Sequence, residues 1–225
     1  MWLRILPENE VRGAIAMAQA IDAMRGALRQ VSTGRARVPL RLTMEAEKGL
    51  ELSMPAYLPD SRALGAKILS IYNENPRRGL RRLIALVLVL DSETGVPQAL
   101  MDGTYITALR TGAGSGLATD LLARKNAPVV TVFGSGVQAR TQLEAVRAVR
   151  EIREVQIVGR GQQTAQRFAD EISGATVRVM DDRNASVAHC LPYAKISWPP
   201  PSLKNSPQTS KELHMKFEIS DYVRL

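Results

Sequence analysis

A chain of 225 residues, 45% hydrophobic, is long enough for one large or two small domains and can bury a sizeable core. Its one cysteine, Cys190, excludes an intrachain disulfide framework and offers no zinc-ligand cluster, so a reducing compartment, the cytoplasm, is expected. The net charge of +8 is scattered from Arg4 to Arg224 with only 4% aromatic residues, which argues against a nucleic-acid partner and for an anionic small ligand.

The N-terminal stretch MWLRILPENEVRGAIAMAQAID has polar residues in every apolar run and lacks the core of a signal peptide. Val11, Ile15, Ala18, Ile21, Met24 and Leu28 then recur at spacings of three and four, predicting one amphipathic helix with Glu8 and Glu10 near its N-terminus. LRLTM, GLELSMPAYLP, LGAKILSIY and RLIALVLVLD read as strands of an antiparallel sheet, separated by turn signals such as Pro59-Asp60 and DSETG. The longest wholly apolar run, Leu83 to Leu90, is too short to span a bilayer, and no membrane partner is expected. A second helix is predicted from about Ile106 to Arg124.

From Ala127 the pattern becomes strand, glycine turn, helix, strand, helix, strand, which implies a parallel sheet with helical crossovers. Gly134-Ser135-Gly136-Val137-Gln138-Ala139 matches G-x-G-x-x-A between a strand and a helix. Gly134 permits the tight turn, Gly136 lets the backbone approach a pyrophosphate, and Ala139 lets helix and strand pack closely. The helix start supplies the N–H groups of Val137 and Gln138 to the phosphates. The second strand ends in Val158-Gly159-Arg160, without the acid that would hold the adenosine ribose of NAD. Arg160 instead suits a 2′-phosphate, so NADP(H) is favoured over NAD(H), which stays open.

MPAYLPDSRALGAKILSIY, DGTYITALRTGAGSGLA and VFGSGVQARTQLEAV together resemble the ornithine cyclodeaminase and mu-crystallin family, over a region running from the N-terminus to about Asp182. The resemblance implies an α/β protein: an N-terminal α+β substrate and dimerisation domain beside a Rossmann-type domain, in a homodimer. The corresponding division here is 1–110 and 111–183, with 184–225 a divergent tail. It further implies that Arg41 binds the carboxylate of a small amino or imino acid, that Lys67 lies beside the same group as substrate-binding and catalytic residue, and that Arg110 stands at the cofactor–substrate junction. Thr111, read as near the helix start, would offer a hydroxyl and an N–H to the cofactor. Arg82 replaces a small hydroxyl residue common in relatives, which leaves the substrate and the reaction open. Imino- or amino-acid oxidoreduction, ornithine cyclodeamination with bound NAD, and cofactor binding without turnover all remain.

Beyond Asp182 the pattern fails. Only three parallel strands can be counted where a doubly wound domain has about six, and the tail, with Pro199-Pro200-Pro201, has no strand or helix period. A C-terminally truncated or aberrant chain is therefore expected. It would have a poorly ordered tail, a bare edge on the first parallel strand and no acidic catalytic segment, and as written it would not be a competent enzyme. The closing MKFEISDYVRL is the one stretch expected to pair as an edge strand. His189 and His214 receive no role.

Overall fold

The computed structural model describes residues 2–180 and the backbone of 195–197. Two sheets are built in chain order: β1 (Arg4–Leu6), α1 (Glu8–Ala14), α2 (Met17–Ser32), β2 (Leu42–Ala46), β3 (Gly49–Leu58), β4 (Ala63–Ile71), β5 (Leu83–Asp91), β6 (Pro97–Asp102), α3 (Gly103–Leu122), β7 (Val129–Phe133), α4 (Val137–Val149), β8 (Glu154–Val158), α5 (Gln162–Asp170), β9 (Thr176–Val179) and β10 (Lys195–Ser197).

The first sheet has the order β1-β6-β5-β4-β3-β2. Strands β2 to β6 form an antiparallel meander, of which β2 to β5 are the four strands expected. The sequence did not mark β1 or β6, and β1 pairs parallel to β6, so the sheet is mixed. Its β5–β6 turn is fixed by Asp91, whose carboxylate accepts from the N–H groups of Glu93 and Thr94 and from the Thr94 hydroxyl. These bonds hold the Asp91 carboxyl below its ordinary range.

The single N-terminal helix becomes two. Ile15 and Ala16 are extended, and the Gln19 amide oxygen accepts the Ala16 N–H at 2.9 Å, which starts the second helix. The apolar stripe runs unbroken because Ile15 still packs on the core of Met17, Ile21, Leu109 and Leu117. The other helix begins earlier than expected, at Gly103, because the Asp102 carboxylate accepts the Tyr105 N–H at 2.8 Å and caps it.

Helix α3 carries the chain from one sheet to the other. Its start presses on β5: the Thr104 hydroxyl accepts the Ala85 N–H, and a Cβ on Gly103 would stand 2.9 Å from the β5 backbone. Further along it packs on α2 and α4. Gly112 is required there, because an added Cβ would stand 2.4 Å from the Thr141 carbonyl oxygen of α4.

The second sheet, β10-β7-β8-β9, is wholly parallel. Its core of Val130, Val132, Val155 and Ile157 is covered by Leu143 and Val146 of α4 and Phe168 of α5. Strand β10 corrects the count of three. Lys195–Ser197 pair with Thr131–Phe133, so the edge of β7 expected to be bare is hydrogen-bonded there. An unpaired strand edge accepts any short extended segment, and this one stops before the three prolines. The remaining expectations for the tail, with those for His189, Cys190 and His214, lie outside the described residues.

Candidate active site

The chain leaves β7 at Gly134, whose φ of +106° side chains rarely adopt. The Gly134 N–H donates to the Val158 carbonyl at 2.8 Å, which closes the turn against β8. Gly136 is the N-cap of α4 and supplies no side-chain bond; the Ala139 N–H donates to the Gly136 carbonyl at 3.1 Å, while those of Val137 and Gln138 have no acceptor within the helix. A Cβ on Gly136 would meet nothing within 4 Å, so space is open above the turn. A positive helix end, free N–H groups and that open approach fit a dinucleotide pyrophosphate. Gln138 also has a buried amide oxygen with no hydrogen-bond partner among the described residues, as does Gln142 one turn later.

Gly159 follows β8, and a Cβ there would stand 2.9 Å from the Ala165 Cβ. The close passage of α5 crowds out the acidic side chain that a ribose would need. Arg160, the next residue, is exposed.

Lys67 pairs with Met54 on one side and Val87 on the other. Strand alternation puts it on the same face as Leu69 and Ile71, which pack in the core under α3. Burial first and the charge of Arg110 second push its ammonium down to about 7. Burial alone takes Arg110 down to about 10, so its guanidinium remains charged at neutral pH. The structure therefore brings Lys67 and Arg110 together. Arg41 is exposed and immediately precedes β2, where Leu42 pairs with Ser53. The next row of the ladder holds Met54 opposite Lys67, so Arg41 stands at the end of the row that carries the lysine.

One expectation changes. Thr111 lies well inside α3, where its N–H belongs to the helix, and its hydroxyl donates to the Thr107 carbonyl at 2.6 Å. Neither donor is offered to a cofactor, because the helix starts at Gly103. Arg82 lies just before β5, and its Nε donates to the Asn73 side chain at 2.7 Å, away from the row that holds Lys67.

The sequence pattern gives no role to Arg140, the residue directly after the glycine motif. The available signal was a cation in the first turns of a helix, where the dipole disfavours it. Among the described residues, no group of three His, Cys, Asp or Glu side chains is placed to hold a metal ion. No described helix is long and apolar enough to cross a membrane.

A parallel sheet entered through a glycine turn, beside a separate mixed sheet, defines an α/β protein of the Rossmann-containing class. The chain belongs to the ornithine cyclodeaminase/mu-crystallin family, whose model matches residues 4–190, a little beyond the limit seen in the sequence and past His189. It is 37% identical over 204 residues to an alanine dehydrogenase of Archaeoglobus fulgidus, covering 86% of this chain and 63% of that one. Among solved structures it resembles the Thermococcus litoralis Delta(1)-pyrroline-2-carboxylate reductase in complex with NADH and L-proline, at 40% identity and a TM-score of 0.77, with 81% of this chain and 58% of that one covered. It also resembles an archaeal alanine dehydrogenase dimer with bound NAD, at 39% identity and a TM-score of 0.78, with 83% and 58% covered. The chain thus spans about three fifths of the length of these relatives.

Proposed function

We propose an NAD(P)-dependent oxidoreductase acting on a small imino or amino acid. The observation that carries this reading is the half-buried pair of Lys67 on β4 and Arg110 on α3, the helix that also packs on the glycine-turn helix α4. The proposed division is residues 1–110 for substrate and dimerisation and 111–183 for cofactor. Similarity to a reductase whose structure is in complex with NADH and L-proline supports both the cofactor and the carboxylate class.

When bound, the nicotinamide would supply or accept a hydride. Gly134, Gly136, Val137 and Gln138 would hold its pyrophosphate. Arg41 and Arg110 would grip the substrate carboxylate, since a guanidinium pairs with it through two parallel hydrogen bonds. Lys67, near 7, loses or holds a proton at neutral pH and would serve the imine or amine nitrogen. Arg160 and the crowding at Gly159 favour NADP(H). A charge-assisted phosphate contact contributes about 1.5–3 kcal/mol, so NADPH should bind roughly tenfold or more tightly than NADH, and Arg160→Ala should erase the difference. Equal affinities in the unmutated chain would reject the preference.

Incubation of the chain with NADPH and pyrroline-2-carboxylate tests the reaction. Falling nicotinamide absorbance with proline formation supports the reductase. Ammonia from ornithine without net change in NAD identifies a cyclodeaminase, and NADPH binding without either identifies a binding protein.

The partner proposed is a second copy of this chain, docked on the uncovered face of the mixed sheet. Leu42, Met44, Ile68, Ile84 and Leu86 are exposed on that face, and an apolar patch of this kind marks an interface. Leu86→Lys should convert a dimer to a monomer in sedimentation, and an unmutated monomer would remove the proposal. The cytoplasm is the proposed compartment, on the single cysteine.

A further inference from the structure

Arg140 stands in the first turns of α4, where the positive helix end repels a cation. It is held there by five contacts. Nη1 donates to the Ser135 carbonyl at 2.8 Å and to the Gly136 carbonyl at 3.0 Å. Nε and Nη2 grip the two carboxylate oxygens of Glu171 at 2.6 and 2.5 Å. The guanidinium lies over the Phe168 ring, 4.9 Å from its centre, and Phe168 is itself fully buried. Arg140 also holds the Glu171 carboxyl below its ordinary range, through the hydrogen bonds first and its charge second.

The two carbonyl bonds have a geometric consequence. In a planar trans peptide the N–H points opposite to the carbonyl before it. Drawing the Ser135 and Gly136 carbonyls toward Arg140 therefore turns the N–H groups of Gly136 and Val137 the other way, and the space above Gly136 is open. The charge of Arg140 is meanwhile committed to Glu171, which follows the end of α5. The opposite end of α5 begins just after Arg160.

We propose that Arg140 is a positioning residue for the cofactor phosphates: it holds the Ser135 and Gly136 carbonyls and, through Glu171 and Phe168, fastens the glycine turn to the helix that follows Arg160. This rests on the proposed cofactor reading. Arg140 acts by shaping the turn, not as a cationic phosphate ligand, and Glu171 separates these two roles because it supports the first and neutralises the second.

The test uses the full chain as wild type, Arg140→Met, Arg140→Lys and Glu171→Gln, with NADPH and ADP as probes by calorimetry. Pre-organised donors lost to Arg140→Met should weaken both ligands by about tenfold. Glu171→Gln should weaken both by a few-fold, although it removes a negative charge near the site, and Arg140→Lys should not restore affinity because it keeps the charge without the fork. Without ligand, hydrogen exchange at the Gly134 amide, which donates to the Val158 carbonyl, and at the Ala139 amide, which donates to the Gly136 carbonyl, should accelerate in Arg140→Met and in Glu171→Gln. Tighter binding in Glu171→Gln, or rescue by lysine, would make Arg140 a phosphate ligand and overturn the proposal. Lower thermal midpoints with unchanged affinity and exchange at the turn would make its role merely structural and overturn it equally. A wild-type chain that binds neither probe rejects the cofactor reading together with this one, whereas wild-type binding that the variants leave unchanged rejects this one alone.

Discussion

Lys67→Met is expected to stabilise the fold at pH 6 while weakening binding of a small imino- or amino-acid carboxylate about 10–100-fold. The folded chain holds the Lys67 proton only up to about 7, against 10.5 for an ordinary lysine, through burial first and the Arg110 charge second. Between those values the unfolded chain binds a proton that the folded chain has released, so stability from this group rises with pH from about 7 to 10.5. Below 7 both states are protonated and the fold bears the full cost of a half-buried ammonium beside a guanidinium. Methionine fills similar space without charge. Its advantage in thermal midpoint should be greatest at pH 6, shrink through pH 8 and vanish near pH 10.5. A difference that does not change with pH would show that Lys67 is solvated and ordinary.

The same depression sets the pH dependence of ligand binding. A carboxylate beside Lys67 favours the ammonium, so it raises the depressed value and binding takes up a proton. Affinity should fall as pH rises through and beyond about 7, and this dependence should disappear in Lys67→Met. Titration calorimetry in buffers of different ionisation enthalpy measures the proton uptake directly.

The glycine turn was legible because its signal is local: a β-branched run, two glycines at fixed spacing and a change to helical period fall within eighteen residues. The meander was legible for the same reason. Strand β6 was not, since its stretch opens on Pro97 and is short, and β1 has three residues whose partner lies far along the chain. Lys67 alternates with apolar neighbours, and the sequence cannot tell which half of a strand faces water until α3 is laid across one side. Thr111 was misjudged because the helix start was set at Ile106, while its actual cap, Asp102, precedes a glycine that local propensity disfavours in a helix. Scattered arginines read as surface charge, and nothing local distinguishes Arg150 from Arg147 or Arg153.

Arg150→Met is expected to cost about 3–5 kcal/mol of stability, the range for removing one side of a buried charged network. The Arg150 side chain is 4% exposed. Nη2 donates to the carbonyls of Thr119, Asp120 and Ala123 at 2.8, 3.1 and 2.9 Å, and Nε donates to that of Arg124 at 3.1 Å. The last carbonyls of a helix have no partner within it, and here one guanidinium from the residue after α4 satisfies the end of α3. A positive charge at that end also suits the helix dipole. Lysine should recover little, because a point ammonium cannot reproduce a planar fork aimed at several carbonyls. The Asp120 carboxylate touches Nη1 only at 3.5 Å and is partly exposed, so Asp120→Asn should cost well under half as much. At roughly 2–4 °C per kcal/mol for a chain of this size, Arg150→Met should lower the thermal midpoint by about 10 °C. A fall of about 2 °C or less would mean that water replaces the guanidinium at the carbonyls, and that the end of α3 is more open than its burial implies.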